Sequence, residues 1–364
     1  RDRKLSLRAF TDYDPQLTVM PRLSFSFPIS EDALFFAHYD ILTQRPERNA
    51  ALPNDYYFLL GNVGAVLPNS NLKPQKKIDY QVGFQQRLTQ SSGLTISAFY
   101  SELRDLIQLR RIVGAYPQDY LTYANIDFGI VKGMTIEYDL RRTKNFAIGA
   151  SYTLQFATGT GSSSTSNFNL VSQGQPNLRT PVPLDYDQRH AFKLNMDFRF
   201  AKNEGPELFG KRIFQNAGVN FLLNAGSGTP YSRQQTETQA VSIGVQQRTT
   251  LEGSINGSRL PANYRAGLRI DKDFKLAFGS EDKPVVKTLN VYLRVQNLFN
   301  RRNVLNVYRY TGSAEDDGYL TSGSFLSSEN FGNDAFVDMY TVKLLGPGNY
   351  SLPRRATIGA SLTF

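Results

Sequence analysis

The sequence has 364 residues, of which 40% are hydrophobic and 20% are charged, and its formal net charge is +9. No run approaches the roughly eighteen apolar residues that a membrane-spanning helix requires, and the absence of cysteine excludes disulfides, thiolate metal sites and cysteine catalysis. The basic residues are scattered over many segments, so a cationic inner surface or contact with anionic lipid explains the charge as well as a nucleic-acid partner would. No nucleic-acid partner is expected.

Many segments repeat an alternation of apolar and polar side chains, and this two-residue period predicts β-strands. About twelve such segments follow one another, near residues 5–9, 23–27, 33–42, 78–84, 94–100, 134–140, 146–156, 190–200, 219–223, 266–270, 289–295 and 354–364. Because each segment is apolar on one side only, the pattern predicts a wall with one face in lipid and the other in water. A soluble β-sandwich is the alternative, although its strands are usually shorter.

The segment His190–Phe200 shows the alternation most clearly. Its apolar side chains alternate with Lys193, Asn195, Asp197 and Arg199. A charge that faced lipid at mid-depth would cost about 2–4 kcal/mol. These polar residues are therefore predicted to face a water-filled interior, and the intervening side chains to face lipid.

The predicted connections alternate in length along the chain. Short connections fall near residues 29–32, 89–92 and 142–145, and connections of middling length near 202–212 and 279–287. Long loops are predicted near residues 43–75, 110–124, 158–186, 225–263 and 300–353, with 12–20 as a brief exception. Short turns at one end and long loops at the other are typical of outer-membrane barrels, with the turns in the periplasm. The last strand then ends at Phe364 on the periplasmic side.

Four stretches carry a family resemblance. They are GNVGAVLPNSNLKPQKKIDYQVGFQQRL (Gly61–Leu88), DYDQRHAFKLN (Asp185–Asn195), LNVYLRVQNLFNRRNV (Leu289–Val304) and the aromatic C-terminus. Together they resemble the C-terminal half of TonB-dependent outer-membrane receptors, particularly those of Bacteroidota. In the first stretch the positions that match are Asn71, Leu72, Pro74, Tyr80, Gly83 and Phe84, whereas Gln75 and Gln81 stand where acidic residues are usual.

The resemblance implies an all-β fold, a transmembrane antiparallel β-barrel of 22 strands whose lumen holds an N-terminal plug. Residues 1–364 would supply about the last 12 strands, and the plug would not be in this chain. Unpaired strand edges are costly in lipid, so the other strands would come from an upstream part of the same protein. Closure of twelve strands on themselves is the alternative.

For function, the resemblance implies TonB-dependent active import of a scarce nutrient, such as a siderophore, glycan or peptide, across the bacterial outer membrane. It implies no enzymatic activity and no cofactor. The implied partners are membrane lipid and lipopolysaccharide, the TonB–ExbB–ExbD system acting through the plug, and the barrel assembly machinery, which would read Leu362 and Phe364. A surface lipoprotein is a further partner in some such receptors. A passive pore, a barrel hydrolase and a scaffold subunit of an envelope complex remain alternatives.

Two sets of residues are candidates for contact with the plug or a ligand. The charges predicted to face the lumen are Asp79, Glu137, Asp139, Arg141, Lys193, Asp197, Arg199, Arg265, Arg269, Asp271 and Arg294. The aromatic residues on predicted loops are Tyr56, Tyr57, Phe58, Tyr116, Tyr120, Tyr231, Tyr308, Tyr310 and Tyr319. The charges would either pair across strands or dock the plug. The aromatic residues would form an external ligand surface or an aromatic girdle.

Few other residues suit a reactive site. The two histidines, His38 and His190, are far apart in sequence. His190 lies near Asp187, but its position at a strand mouth predicts a structural role, and His38 is predicted to face the lumen. The acidic run Ala314–Gly318 and the glycine-rich run Gly159–Ser164 are predicted to be loops rather than a calcium or phosphate site.

Overall fold

The computed structural model describes residues 15–47, 66–115, 119–237, 250–278 and 285–363. Within them, eleven strands form one antiparallel path in which each strand pairs with the next along the chain. The strands are β1 (Arg22–Pro28), β2 (Ala33–Gln44), β3 (Gln75–Arg87), β4 (Ser92–Ile112), β5 (Tyr120–Thr143), β6 (Phe146–Gly159), β7 (His190–Arg199), β8 (Ala217–Gly226), β9 (Asn263–Phe278), β10 (Val285–Gln296) and β11 (Arg355–Thr363). Eleven of the predicted segments are thus strands, in the predicted order. The predicted strand near residues 5–9 and the terminal Phe364 lie outside the described residues.

Short strands complete the sheets. Val66–Leu67 pairs in parallel with β5, and Val182–Pro183 pairs antiparallel with β6, which makes the main sheet thirteen-stranded. Pro230–Tyr231 pairs with Ser258–Arg259, and Arg233–Gln234 pairs with Leu251–Glu252, as separate two-stranded sheets.

One predicted loop is wrong in its extent. Residues 110–124 were expected to form a long loop, but β4 and β5 continue into this region and pair as far as Ile112 opposite Tyr120. The pairing shifts register between Leu103 and Leu106, and Asp105 in this bulge has a positive φ of 55°. A bulge breaks the two-residue period without ending the strand, so the alternation is lost where the ladder continues.

The connections at the long-loop end between the later strands are folded. Cap 1 (residues 160–189) contains helix α1 (Phe168–Ser172), and cap 2 (227–237 and 250–262) contains the two small sheets. Cap 3 (297–354) contains helices α2 (Gly323–Leu326) and α3 (Asp334–Leu344) and the 3₁₀ turns Tyr319–Thr321 and Pro347–Asn349. Its buried core is formed by Tyr319, Phe325, Tyr340 and Leu344.

Asparagine and serine side chains define where the cap 3 helices begin. Ser322 accepts a hydrogen bond from the Phe325 amide before α2, and Asn333 accepts one from the Phe336 amide before α3. Such N-caps satisfy amides that have no partner within the helix. Among the described residues, no helix is both long enough and apolar enough to cross a membrane.

The strand register separates two faces, because directly paired residues point to the same side of a sheet. One row on the polar face is Arg199, Gly218, Asp271, Tyr292 and Gly359. The next row, on the apolar face, is Phe198, Val219, Ile270, Leu293 and Ile358. Many apolar-face side chains are exposed, including Ile358 at 79%. A continuous exposed apolar face is what a wall in lipid requires.

Large aromatic rings also occur on the polar face, each directly opposite a glycine. Phe36 lies across from Gly83, Phe99 from Gly133, and Tyr292 from Gly359. A Cβ added at Gly359 would approach the Tyr292 ring to 2.5 Å, so these glycines leave room for the rings. The arrangement covers glycine backbone with an aromatic neighbour, as known from designed sheets.

Candidate functional site

The predicted lumen charges share the polar face. Asp79 lies on β3, Glu137 and Asp139 on β5, Lys193 and Asp197 on β7, and the charges of β9 and β10 follow in the same register. Arg141 continues the alternation of β5 just before a register shift. The structure therefore brings the whole set to one surface.

Some of these charges neutralise one another across strands. Arg199 donates through one amino group to both oxygens of Asp271, at 3.0 and 2.8 Å, and lies 3.8 Å from Asp273. Asn290 donates to Asp273 at 2.6 Å and to Asp271 at 3.3 Å. The side chain of Asp271 is 6% exposed, so this carboxylate is desolvated and depends on its hydrogen bonds from Arg199 and Asn290.

Two further carboxylates on the polar face are paired. Asp197 forms an ion pair with Arg142, and Asp79 lies 2.8 Å from Lys77 and accepts a hydrogen bond from Ser101. The others have no ion pair within 4.0 Å among the described residues: Glu137, Asp139, Arg141, Lys193, Arg265 and Arg294.

Four arginines gather near the long-loop end of the polar face. We name Arg265, Arg269, Arg294 and Arg355 the arginine patch; they line a cavity of about 510 Å³ whose described lining residues include no acidic side chain. Arg269 and Arg294 are direct cross-strand partners, an arrangement that is unfavourable for like charges. Arg269 is partly compensated, because it lies 4.5 Å from the centre of the Tyr292 ring and 3.7 Å from Asp271.

Arg355 was not among the predicted site residues. It precedes Thr357 and Gly359 in the alternation of the last strand, so its parity assigned it to the polar face. Its proximity to Arg294 and Arg265 depends on the pairing of β9, β10 and β11, which the alternation alone does not reveal.

Asp187 joins the caps to the wall. Its fully buried carboxylate accepts hydrogen bonds from the Ala157 amide at 2.8 Å, from Arg189 at 3.1 Å and from Arg259. Arg259 also donates to the Asp187 carbonyl at 2.6 Å and to Gly228 at 3.3 Å. Burial raises the pKa of the Asp187 carboxyl, but the amide and arginine hydrogen bonds outweigh burial and leave the pKa below its ordinary value.

The three caps are connected. Asn256 of cap 2 donates to the Pro183 carbonyl of cap 1 at 2.8 Å and to Asp185 at 2.7 Å. Cap 2 also meets cap 3, because Arg233 donates to the Tyr310 carbonyl at 3.0 Å. The caps therefore form one layer at the long-loop end of the wall.

The histidines have structural partners. His190 Nδ1 lies 2.8 Å from the Tyr152 hydroxyl, and His38 Nδ1 lies 2.9 Å from Ser24 Oγ. His38 is on the polar face, as its register with Gln81 shows. The described residues contain no group of three or more His, Cys, Asp or Glu side chains that could hold a metal ion.

The acidic run Ala314–Gly318 stabilises the fold of cap 3 through hydrogen bonds. Asp317 is 2% exposed and accepts hydrogen bonds from the Tyr319 amide at 2.9 Å and from the Tyr340 hydroxyl at 2.5 Å. Asp316 accepts one from the Gly318 amide at 2.8 Å. These bonds hold the turn that leads into the helices.

The glycine-rich run is likewise packed against the wall. Gln108 is fully buried and donates to Asp127 and to Ser166, each at 2.8 Å. A Cβ at Gly161 would lie 2.1 Å from the Asp127 carboxylate. The glycine is needed for this close approach of cap 1 to β4 and β5.

The predicted loop aromatics separate into three groups. Tyr319 is 8% exposed and belongs to the core of cap 3, so its assignment to an external ligand surface is wrong. Tyr308 packs against that core and donates to the Leu344 carbonyl at 2.9 Å. The remaining described side chains are half-exposed and are not part of the cap 3 core: Tyr120, Tyr231 and Tyr310. The residues that lie outside the described part of the chain are Tyr56, Tyr57, Phe58 and Tyr116.

Comparisons with known proteins agree with this architecture. The sequence model of the family "TonB dependent receptor-like, beta-barrel" matches residues 5–298. FpvA of Pseudomonas aeruginosa, in a complex with a pyoverdine and iron, is similar in fold with a TM-score of 0.52 and 11% identity, over 94% of this chain and 32% of that one. YddB of Escherichia coli, described as an outer membrane transporter, has a TM-score of 0.50 and 12% identity, over 79% of this chain and 38% of that one. This chain thus spans about a third of the length of these structures. No curated protein matched the sequence.

Proposed function

Because this chain belongs to the TonB-dependent receptor-like β-barrel family, we propose that it forms wall and outer caps of a receptor that imports a scarce nutrient. The family is located in the bacterial outer membrane and consists of transporters rather than enzymes. Lipid and lipopolysaccharide surround its members. A siderophore, a glycan or a peptide is the proposed class of nutrient, taken up with energy that TonB–ExbB–ExbD delivers to the plug.

One observation carries the proposal: a continuous antiparallel wall has an exposed apolar face, a charged opposite face and folded caps at one end. Such a wall separates lipid from a polar passage. The four sequence stretches support a place in the C-terminal half of a receptor of the Bacteroidota kind. In this proposal the barrel assembly machinery recognises Leu362 and Phe364, and a surface lipoprotein covers the caps.

The proposal is tested in the native host with the full-length gene. Deletion is expected to abolish growth at a limiting concentration of one nutrient, and a full-length copy whose TonB-contacting segment is disabled should fail to restore it. Unaffected growth with the disabled copy, together with co-purification of a lipoprotein, would favour the scaffold alternative. A steady large conductance of the purified receptor would favour a passive pore.

We propose further that the arginine patch contacts acidic residues of the plug. Arg265 and Arg294 have no ion pair among the described residues, and Arg294 faces Arg269 directly. Carboxylates supplied from the lumen would relieve this repulsion. The remaining unpaired charges of the polar face, among them Glu137 and Lys193, are proposed to contact the plug in the same way.

The plug contact is tested by removing the positive charge at two positions of the arginine patch. The double variant Arg265→Gln and Arg294→Gln is expected to admit large antibiotics that the parent receptor excludes, because the plug is held less tightly. The matched control, Arg265→Lys with Arg294→Lys, keeps the charge and should behave like the parent. Equal permeability of all three proteins would contradict the contact.

The half-exposed tyrosines are proposed to contribute to ligand binding at the caps. Tyr231 and Tyr310 lie on adjoining parts of caps 2 and 3, and Tyr120 begins β5 at the same end of the wall. Aromatic rings provide large contact areas with little loss of side-chain entropy. Replacing Tyr231 or Tyr310 with serine should weaken ligand binding without changing plug retention.

A further inference from the structure

The connection between β7 and β8 contains a tight turn, and an aromatic side chain with a strained backbone is exposed at its tip. Leu208 and Lys211 exchange backbone hydrogen bonds at 3.0 and 3.1 Å, which closes a two-residue turn. Both turn residues have positive φ, 52° at Phe209 and 70° at Gly210. The first of these positions usually holds Asn, Asp or Gly, because a bulky side chain is disfavoured there.

Phe209 packs against none of the residues that the structure describes, so no contact among them offsets this strain. Its side chain is 98% exposed, and Leu208, Ile213 and Phe214 beside it are also exposed. Strain that persists without an internal reason points to a function for the residue. A cluster of exposed apolar side chains is an interaction surface rather than a surface for water.

The turn is held against the lipid-facing side of the wall. Lys272, which lies on the apolar face beside Ile270, donates to the Ile213 carbonyl. Phe200 and Phe214 both pack at Gly205, and the Phe200 ring lies 4.9 Å from the ring of Phe198 on the apolar face. The residues that flank the turn therefore adjoin the aromatic, lipid-facing surface of the wall.

Charge around the turn favours a phospholipid surface. Lys202, Lys211 and Arg212 are exposed, and Arg212 pairs with Glu207 at 3.0 Å. Basic side chains beside apolar ones match the boundary between headgroups and acyl chains. The turn lies at the short-turn end of the wall, so the leaflet it meets is the periplasmic one.

We propose that residues 205–214 form a lipid anchor, in which Phe209 inserts among the phospholipids of the periplasmic leaflet. The occupant is a phospholipid with an anionic or zwitterionic headgroup, not a protein. The anchor rests on the apolar face meeting lipid. It does not depend on TonB-driven import, so failure of either proposal leaves the other testable.

This chain contributes no tryptophan of its own, so the difference between the emission of a tryptophan variant and that of the parent receptor reports the new side chain. Phe209→Trp in the full-length receptor, reconstituted in phospholipid vesicles, should give a difference emission shifted to short wavelength. Phospholipids brominated near the ester groups should quench it more than phospholipids brominated near the chain ends. The matched control is Phe331→Trp in cap 3, where the native ring is 58% exposed at the opposite end of the wall. Emission from the Phe209→Trp variant that is as red-shifted and as weakly quenched as the control would overturn the anchor.

A second measurement separates the anchor from the turn itself. Glycine adopts positive φ without strain, so Phe209→Gly should keep the turn and the fold while removing the anchor. A nitroxide attached at Lys211→Cys is expected to be ordered and accessible to oxygen in the parent, and mobile and accessible to a water-soluble relaxation agent in the Phe209→Gly background. Identical spectra in both backgrounds would also overturn the proposal.

Discussion

At the residue scale, few polar side chains determine how the caps sit on the wall. Asp187 connects the end of β6, the start of β7 and cap 2 through one carboxylate. Its neighbour Asp185, two residues away, is exposed, and its carboxylate accepts a hydrogen bond from Asn256. Both belong to a stretch that resembles a family motif. Only Asp187 is buried, and only its carboxylate binds donors from both the wall and cap 2.

Replacing Asp187 with asparagine is expected to lower the free energy of unfolding by about 3 kcal/mol, because Arg189 and Arg259 lose their charged partner. The measurement is thermal unfolding in detergent combined with limited proteolysis of caps 1 and 2. Asp185→Asn serves as the control and should change stability by less than about 1 kcal/mol. Equal effects of the two substitutions would contradict this account.

The lowered pKa of Asp187 also predicts how the caps respond to pH. A carboxyl whose pKa is lower in the folded state contributes stability above its unfolded pKa of about 3.9. This contribution is lost as the pH falls from that value through the folded pKa. Protease sensitivity of caps 1 and 2 should therefore rise below about pH 4 in the parent. In the Asp187→Asn variant, the same interval should bring a smaller rise.

At the scale of elements, the two-residue period predicted the described strands but not their full length. β4 and β5 extend past the predicted ends, because the bulge at Asp105 interrupts the alternation while the hydrogen bonds continue. The helices of cap 3 were expected only as loop. They are short, and their apolar residues pack within one cap, so the long helical periodicity that would reveal them is absent.

Glycines on the polar face are expected to differ in their tolerance of a side chain. A Cβ at Gly133 would lie 2.1 Å from the Leu154 carbonyl and 2.7 Å from the Phe99 ring. Gly133→Ala should therefore cost about 2 kcal/mol through overpacking. Gly149→Ala is the control on the neighbouring strand, where the nearest atom is the Asp139 carboxylate at 3.5 Å, and it should be nearly neutral. Thermal unfolding of the two purified variants in detergent measures the difference.

At the scale of the whole molecule, the main feature is the separation of an apolar face from a charged face of the wall. Along the eleven paired strands that the structure describes, the wall presents mainly apolar side chains on one face and the predicted lumen charges on the other. Water inside and lipid outside make this the arrangement of lowest free energy, because either set on the wrong face would be costly. The caps and the arginine patch then occupy the same end of the wall.

The assignment of faces predicts opposite accessibility for adjacent residues. This chain contributes no cysteine, so nitroxides can be placed at Asn195→Cys and Met196→Cys of a receptor in which any cysteine outside this chain is replaced by serine. In vesicles, the label at position 196 should relax with lipid-soluble oxygen and the label at position 195 with a water-soluble nickel chelate. The reverse result would place the charges of β7 in lipid and refute the barrel wall.

The alternation of side chains was enough to predict the β class, the order of the described strands and the face on which the proposed lumen charges lie. These follow from alternation, which is a local property of the extended backbone. Three contacts could not be predicted in this way: Arg199 pairs with Asp271, 72 residues away, Arg259 binds Asp187, and Arg355 joins the arginine patch. Such contacts depend on the register between strands and on the folding of the caps, and neither is encoded in the period of a single segment.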